Sequence, residues 1–325
     1  MAKDIRYSVV VPCYNEEEVI QVTHKRLTEV MERTREVYEI VYVNDGCRDR
    51  TPDLLEDISS NDDRVRVLNF SRNFGHQAAV TAGMNYAKGQ AIVIIDADLQ
   101  DPPEVILEMI YKWKQGYDVC YGKRLKRKGD TLFKKFTAAM FYRVLNALTP
   151  IRIPEDTGDF RLIDRKVCDV MNSLPEKNRY LRGLVSWVGF KQIAIEFNRE
   201  ERFAGETKYP LSKMLKLAFD GITSFSYKPL KLATYLGFLI SGFSFLYFLF
   251  ILGQKMFFNI AVQGWASSVA INLFFHGITL TILGIMGEYI GRIYDESKDR
   301  PIYIVRSTHG YPELQDPDRG ASTNQ

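Results

Sequence analysis

The sequence predicts an α/β domain built on a mainly parallel sheet, followed by two transmembrane helices. Three observations carry that prediction. Short β-branched runs alternate with helical stretches through the first part of the chain, and such alternation makes βαβ units. The runs are apolar at nearly every position, as strands covered on both faces must be. From about Leu232 onward, two long uncharged stretches replace the pattern.

Taken in order, Tyr7–Val11 is the first strand, stopped by Pro12. Glu39–Asn44, Val65–Phe70, Ala91–Ile95 and Asp118–Tyr121 are the next four. Helical patterns fill the gaps at Glu16–Thr34, Thr51–Ser59, Gln77–Ala87 and Pro103–Gln115. Ligands of an open parallel sheet bind outside the C-terminal ends of its strands. Polar residues gather there: Pro12-Cys13-Tyr14-Asn15-Glu16, Asn44-Asp45-Gly46 and Asp96-Ala97-Asp98. Three polar clusters on one sheet edge mark a site by position alone.

Leu232–Leu252 carries no charge and is long enough to cross a hydrocarbon core of about 30 Å. A second uncharged stretch runs over Phe257–Gly287, with Ala266–Gly287 as its spanning part. Lys208, Lys213, Lys216, Lys228 and Lys231 precede the first span, and Arg292, Lys298, Arg300 and Arg306 follow the second. The loop between holds only Lys255, so the positive-inside rule places both ends of the hairpin in the cytosol. Leu211, Met214, Leu215, Ala218, Ile222 and Phe225 fall at helical spacing with lysines among them. That helix either lies on the membrane surface or packs on the domain. The resulting plan is a cytosolic domain over 1–209, an interfacial helix over 210–231, a two-helix hairpin over 232–290 and a cytosolic tail over 291–325.

Composition narrows the function classes. A net charge of +3 over 325 residues gives no ground for nucleic-acid binding. Cys13, Cys47, Cys120 and Cys168 are scattered, with no Cys-x-x-Cys pair, which fits reduced thiols in the cytosol and not a disulfide framework. The apolar run before Pro12 is too short for a signal peptide. His24, His76, His276 and His309 show no metal-ligand spacing, and no Ser-His-Asp or Cys-His arrangement stands out.

The strongest motif is Asp96-Ala97-Asp98-Leu99-Gln100-Asp101-Pro102-Pro103 after an Ile/Val strand. Two carboxylates one residue apart at a strand end suit a hard cation such as Mg²⁺ or Mn²⁺, completed by substrate phosphates. A departing diphosphate needs that help, because its charge grows as it leaves. Asp45 ends the second strand, where its carboxylate either accepts the imide N–H of uracil or caps an Asp-Gly turn. Ser71-Arg72-Asn73-Phe74-Gly75 closes over a nucleotide or caps the next helix. Asp159, in Thr157-Gly158-Asp159-Phe160-Arg161-Leu162, either takes a proton from or orients an acceptor, or pairs with Arg161. Arg124, Arg127 and Lys128 follow the fifth strand; Arg202 and Lys208 precede the interfacial helix. These cations suit a phosphate or anionic lipids.

Together these motifs resemble family-2 glycosyltransferases, in the branch of bactoprenol glucosyltransferases and dolichyl-phosphate-mannose-synthase-like enzymes. The resemblance covers nearly the whole chain, including the two spans and Gly287-Glu288-Tyr289-Ile290-Gly291-Arg292-Ile293-Tyr294. It implies a Rossmann-like GT-A catalytic domain, a divalent metal, a nucleotide-sugar donor and an inverting single displacement. Pro12, Tyr14, Glu16 and Asp45 fall on nucleotide-binding positions. Asp96 and Asp98 fall on the metal and catalytic Asp-x-Asp positions, with Asp96 also facing the donor and Gln100 near the donor diphosphate. Asp159 falls on the acceptor-side acid, and Arg202 and Lys208 match the basic segment of the lipid-linked branch. Cys47 replaces the serine usual after Asp-Gly. The Gln-x-x-Arg-Trp signature of processive synthases is absent, which favours one sugar per lipid.

The expected reaction is therefore transfer from a UDP-sugar, glucose or N-acetylglucosamine, to undecaprenyl phosphate at a bilayer surface. A processive polysaccharide synthase is the alternative enzyme, and a membrane-tethered nucleotide-sugar sensor is the alternative of another class. The sequence leaves open monomer or homo-oligomer.

Overall fold

A computed structural model describes residues 4–125, 157–199, 226–258 and 264–311. Arg127, Lys128, Arg202, Lys208 and the amphipathic segment 211–225 lie outside the described residues. The chain divides into two compact units. The first unit holds every strand among the described residues. Its elements are β1 (Tyr7–Cys13), α1 (Ile20–Glu32), β2 (Tyr38–Asn44), α2 (Thr51–Asn61), β3 (Val65–Phe70), α3 (His76–Tyr86), β4 (Ala91–Ile94) and α4 (Val105–Lys114). They continue with β5 (Val119–Arg124), β6 (Thr157–Asp164), α5 (Arg165–Ser173), α6 (Leu181–Trp187) and β7 (Gln192–Phe197). The second unit holds α7 (Lys228–Phe258) and α8 (Trp265–Ser297), after which β8 (Val305–His309) belongs again to the first.

The eight strands form one sheet in the order β7-β5-β6-β4-β1-β2-β3-β8. The pairs β1–β2, β1–β4, β2–β3 and β5–β7 are parallel, so the sheet is mainly parallel as expected. Its central strands are buried along their full length on both faces. Val9, Val11, Ile40 and Tyr42 meet Leu27 and Met31 of α1 and Ile106 and Met109 of α4 in one core. Helix α3 packs Ala79, Val80 and Met84 into the buried interior as well.

Three differences from the sequence reading matter. β1 does not stop at Val11 but runs through Pro12 to Cys13. Its register with β4 ends at Val10↔Ile94, while that with β2 continues to Cys13↔Asn44. Beyond Val10 the strand therefore has one partner, and such a strand tolerates proline. Second, residues 157–164 form a strand that runs antiparallel to both β4 and β5. Third, the segment after α8 is not a plain tail, because β8 adds an antiparallel edge strand against β3.

Helices α7 and α8 contain 31 and 33 residues. At 1.5 Å per residue each reaches about 45–50 Å. Both carry a stretch long and apolar enough to cross a membrane, Lys228–Ile251 and Ile271–Ser297, and nearly all their described side chains are uncovered. A core helix of a water-soluble domain with that composition would be covered. Phe238, Leu239, Phe243, Leu273 and Leu280 instead stand open. Within this unit the Tyr289 hydroxyl donates to the carbonyl of Ser226 at 2.6 Å.

Candidate active site

Strand register assembles the site. Parallel pairing of β4, β1, β2 and β3 puts their C-terminal ends on one edge. The order reverses between β1 and β4, the place where an open α/β sheet offers its ligand crevice. β6 enters the same edge from the opposite direction. Arg161 lies opposite Ile94, so two residues further toward the rim on each strand Asp159 comes beside Asp96. Antiparallel pairing is what makes neighbours of two acids 63 residues apart in sequence.

Asp159 is buried and densely held. Arg182 of α6 donates from Nε to Oδ1 at 2.8 Å and from Nη2 to Oδ2 at 3.2 Å. His76, the first residue of α3, places Nε2 3.1 Å from Oδ2. Arg161 stands 3.8 Å away, with its own Nη2 donating to the Gly158 carbonyl at 3.0 Å. Burial pushes the Asp159 carboxyl up, but the Arg182 guanidinium and the His76 ring outweigh it and hold the group well below the usual carboxylate range. Asp159 is thus a fixed anion and a weak proton acceptor. The expected pairing with Arg161 exists, but Arg182 is the closer partner.

Asp96 follows β4 and has the opposite tendency. Burial raises its pKa, and the Asp159, Asp101 and Asp98 carboxylates add to the rise, against His76 3.7 Å away. The His76 ring is lowered by burial, yet the hydrogen bond to Asp159 and the charges of Asp96 and Asp159 prevail and lift it to about 9. Asp98 turns its Oδ1 to the backbone N–H of Gln100 at 3.1 Å, and Leu99 between them takes a left-handed φ of 56°. No three metal-ligand side chains converge among the described residues. The hard donors offered here are the Asp96 and Asp98 carboxylates, with Asp159 and Asp101 adding negative charge that His76, Arg182 and Arg124 answer. That fits a divalent cation whose remaining ligands are phosphate and water oxygens.

On the other side of β1, two loops interlock. The Glu16 N–H donates to Thr51 Oγ1 at 2.8 Å, the Asn15 N–H points at Cys47 Sγ at 3.2 Å, and the Arg48 N–H donates to Asn15 Oδ1 at 2.9 Å. Pro12 is buried in β1, whereas Tyr14 is 45% exposed and available to a ligand. Asp45 is buried and accepts from the N–H groups of Phe74 at 2.7 Å and Gly75 at 3.0 Å and from Asn73 Nδ2 at 2.9 Å. In this structure its carboxylate organises the 71–75 loop. Burial raises the Asp45 pKa, and the Phe74 and Gly75 N–H groups oppose the rise. Gly46 has φ +65°, and a Cβ there would meet Arg72 C and Asn73 N at 2.5 Å, so only glycine lets the two loops touch.

Arg124 is the last residue of β5 and donates from Nη2 to Asp101 Oδ2 at 3.1 Å. It crosses above Gly158, where a Cβ would stand 2.6 Å from Nη2. Arg199 stands 4.0 Å from the same carboxylate. The structure thus brings Asp45, Asp96, Asp98, Gln100, Arg124 and Asp159 to one rim. His76, Arg182, Asp101 and Arg199 were not identified from sequence. His76 offers one local signal, its place directly after Ser71-Arg72-Asn73-Phe74-Gly75. Arg182 offers none, since it meets Asp159 only through folding.

This sheet, with its rim of acids at the strand ends, is that of a GT-A-like fold. The glycosyl transferase family 2 model matches residues 8–171, and the chain belongs to that family. It is 63% identical over 310 residues to the uncharacterized glycosyltransferase YkcC of Bacillus subtilis, covering 95% of this chain and 96% of the relative. It is 42% identical over 305 residues to the SfII prophage-derived bactoprenol glucosyl transferase of Shigella flexneri, covering 94% and 99%. Among solved structures, glucosyl-3-phosphoglycerate synthase from Mycobacterium tuberculosis with Mn²⁺, UDP and phosphoglyceric acid aligns over 67% of this chain and 76% of that one, at 16% identity and a TM-score of 0.47.

Proposed function

We propose that the protein transfers one sugar from a UDP-sugar to a polyprenyl phosphate, undecaprenyl phosphate in bacteria, at the cytosolic face of a membrane. The observation that carries this reading is the rim itself: a carboxylate couple just after β4 stands beside the fixed anion of β6, in a chain that also holds two membrane-length apolar helices. The bactoprenol glucosyl transferase relatives support the lipid acceptor and favour glucose over N-acetylglucosamine. The lysines before the first helix and arginines after the second support a hairpin with both ends cytosolic.

Asp96 and Asp98 would hold Mg²⁺ or Mn²⁺, which when bound neutralises the donor diphosphate. The chain's own residues do the rest. Tyr14, Glu16, Asp45 and Gln100 line the donor side, and Asp45 does so by holding the 71–75 loop. Arg124 answers phosphate charge, joined by Arg202 and Lys208 from the segment before the membrane helices. An acceptor phosphate oxygen forms the new bond to the anomeric carbon while the bond to UDP breaks, and UDP leaves with the electron pair. One displacement inverts the configuration. That oxygen is already ionised near neutral pH, so no strong base is needed. Asp159, kept anionic by Arg182 and His76, orients the attack in place of taking a proton.

The test is mass spectrometry of lipid formed from undecaprenyl phosphate and a panel of UDP-sugars. One hexose per lipid is expected, and Asp98→Ala should abolish it without changing thermal stability. Polymer formed without prenyl phosphate would overturn the reading.

A further inference from the structure

The donor-side loops rest on a segment that lies on the far side of both membrane-length helices in sequence. β8 begins eight residues after α8 ends and pairs with β3, with Asn69 opposite Ser307. Just before it, Tyr303 stacks on Phe70 with ring centroids 5.2 Å apart and planes 10° from parallel. Phe70 in turn meets Phe74 edge-on at 5.7 Å. The Tyr303 hydroxyl accepts from Asn85 Nδ2 of α3 at 2.9 Å. The N–H of Ser71, first residue of the loop, donates to the carbonyl of Ile304 at 3.0 Å.

A second path runs beneath the sheet edge. Asn69 Nδ2 donates to Ser307 Oγ at 3.2 Å, and Asn44 Nδ2 donates to Asn69 Oδ1 at 2.8 Å. Asn44 Oδ1 accepts from the Cys47 N–H at 2.9 Å. Both paths end on the same pair of loops, 45–47 and 71–75, already joined through the Asp45 carboxylate. The loop after β3 is tied internally by Arg72, which lies over the Phe74 ring and donates to the Asn73 carbonyl, and its backbone N–H groups are anchored on Asp45 on one side and Ile304 on the other.

We infer that Tyr303 and Ser307 are positioning residues for the nucleotide-sugar pocket, so that the donor site is completed by chain that follows the membrane hairpin. This rests on the donor reading of those loops given above. Tyr303 sets the Phe70–Phe74 pair, and with it the Phe74 and Gly75 N–H groups on Asp45. Ser307 sets Asn69, Asn44 and the turn at Cys47. The acceptor side, built on β6 and α6, meets this network only through α3, where His76 follows Gly75 and reaches Asp159 and Gln77 accepts from the Leu181 N–H, and through the Arg179 charge near Tyr303.

The experiment is UDP binding with Mn²⁺, and initial rates with undecaprenyl phosphate, on the full-length protein in detergent. Tyr303→Ala should weaken UDP binding and raise the donor KM about tenfold, the worth of a well-packed aromatic pair, with the acceptor KM changing less. Tyr303→Phe keeps the stack and should bind UDP within about twofold of wild type. Ser307→Ala should raise the donor KM in the same direction, and it carries the test if Tyr303→Ala does not fold. Equal UDP binding in wild type, Tyr303→Ala and Ser307→Ala overturns the inference, as does a matching rise in acceptor KM. Failure of wild type itself to bind UDP overturns instead the donor reading beneath it.

Discussion

Arg182→Ala removes both hydrogen bonds from Asp159, at 2.8 and 3.2 Å. The carboxylate is left with His76 at 3.1 Å and Arg161 at 3.8 Å. Stripping one partner from a fully buried ion pair costs about 3–5 kcal/mol. Arg182 is 27% exposed, so water replaces part of what is lost, and about 2–3 kcal/mol is the expected penalty. For a domain of this size that lowers Tm by roughly 5–10 °C. The pH dependence identifies the cause. Asp159 has a folded pKa depressed below its unfolded value. Its contribution is therefore full above the unfolded pKa near 4 and disappears as pH falls through the folded pKa. In the variant the folded pKa rises, so less is gained at neutral pH and nothing differs once both forms are protonated. Differential scanning fluorimetry in detergent should show a wild-type-to-variant gap that is widest at pH 7 and narrower at pH 3. A gap of equal size at both pH values, or no gap at pH 7, refutes the assignment of Arg182 as the group that keeps Asp159 ionised.

Other outcomes follow from the same geometry. Gly158→Ala places a methyl 2.6 Å from Arg124 Nη2; because the end of a flexible side chain moves aside readily, Tm should fall by only about 2–4 °C, while product formation drops at least tenfold as Arg124 leaves Asp101, measured by radiolabelled lipid. Asp45→Asn keeps one acceptor but loses the second, freeing Gly75 or Phe74 from a buried bond; about 1–3 kcal/mol should appear as a higher donor KM, and an unchanged value would remove Asp45 from the donor pocket. Chelation with EDTA should abolish transfer and leave Tm nearly unchanged, with Mg²⁺ or Mn²⁺ restoring turnover in steady-state assays.

Much of this site is legible in the chain because its parts are local. Ala91–Ile94 is an apolar strand, and Asp96 and Asp98 follow it directly, so strand end and ligand pair are written in one stretch. The turn at Asp45-Gly46 and the loop at Ser71–Gly75 are equally local. Pro12 misled the reading of β1, since whether proline ends a strand depends on where the neighbouring strand stops. The sequence does not mark β6, β7 and β8 as strands: each is partly polar and pairs with strands far away in sequence.

The order of the first five strands and the helices between them, the acidic couple at a strand end and the two membrane-length apolar stretches were determined by sequence alone, because each is set by neighbours a few residues apart. Tertiary structure decided the rest. Antiparallel entry of β6 sets Asp159 beside Asp96; α6 brings Arg182 to hold it; and β8 returns to prop the loop that Asp45 grips. These are pairings between residues tens to hundreds of positions apart, and a buried charge takes whichever partner the packed chain brings within 3 Å or so, which no local pattern records.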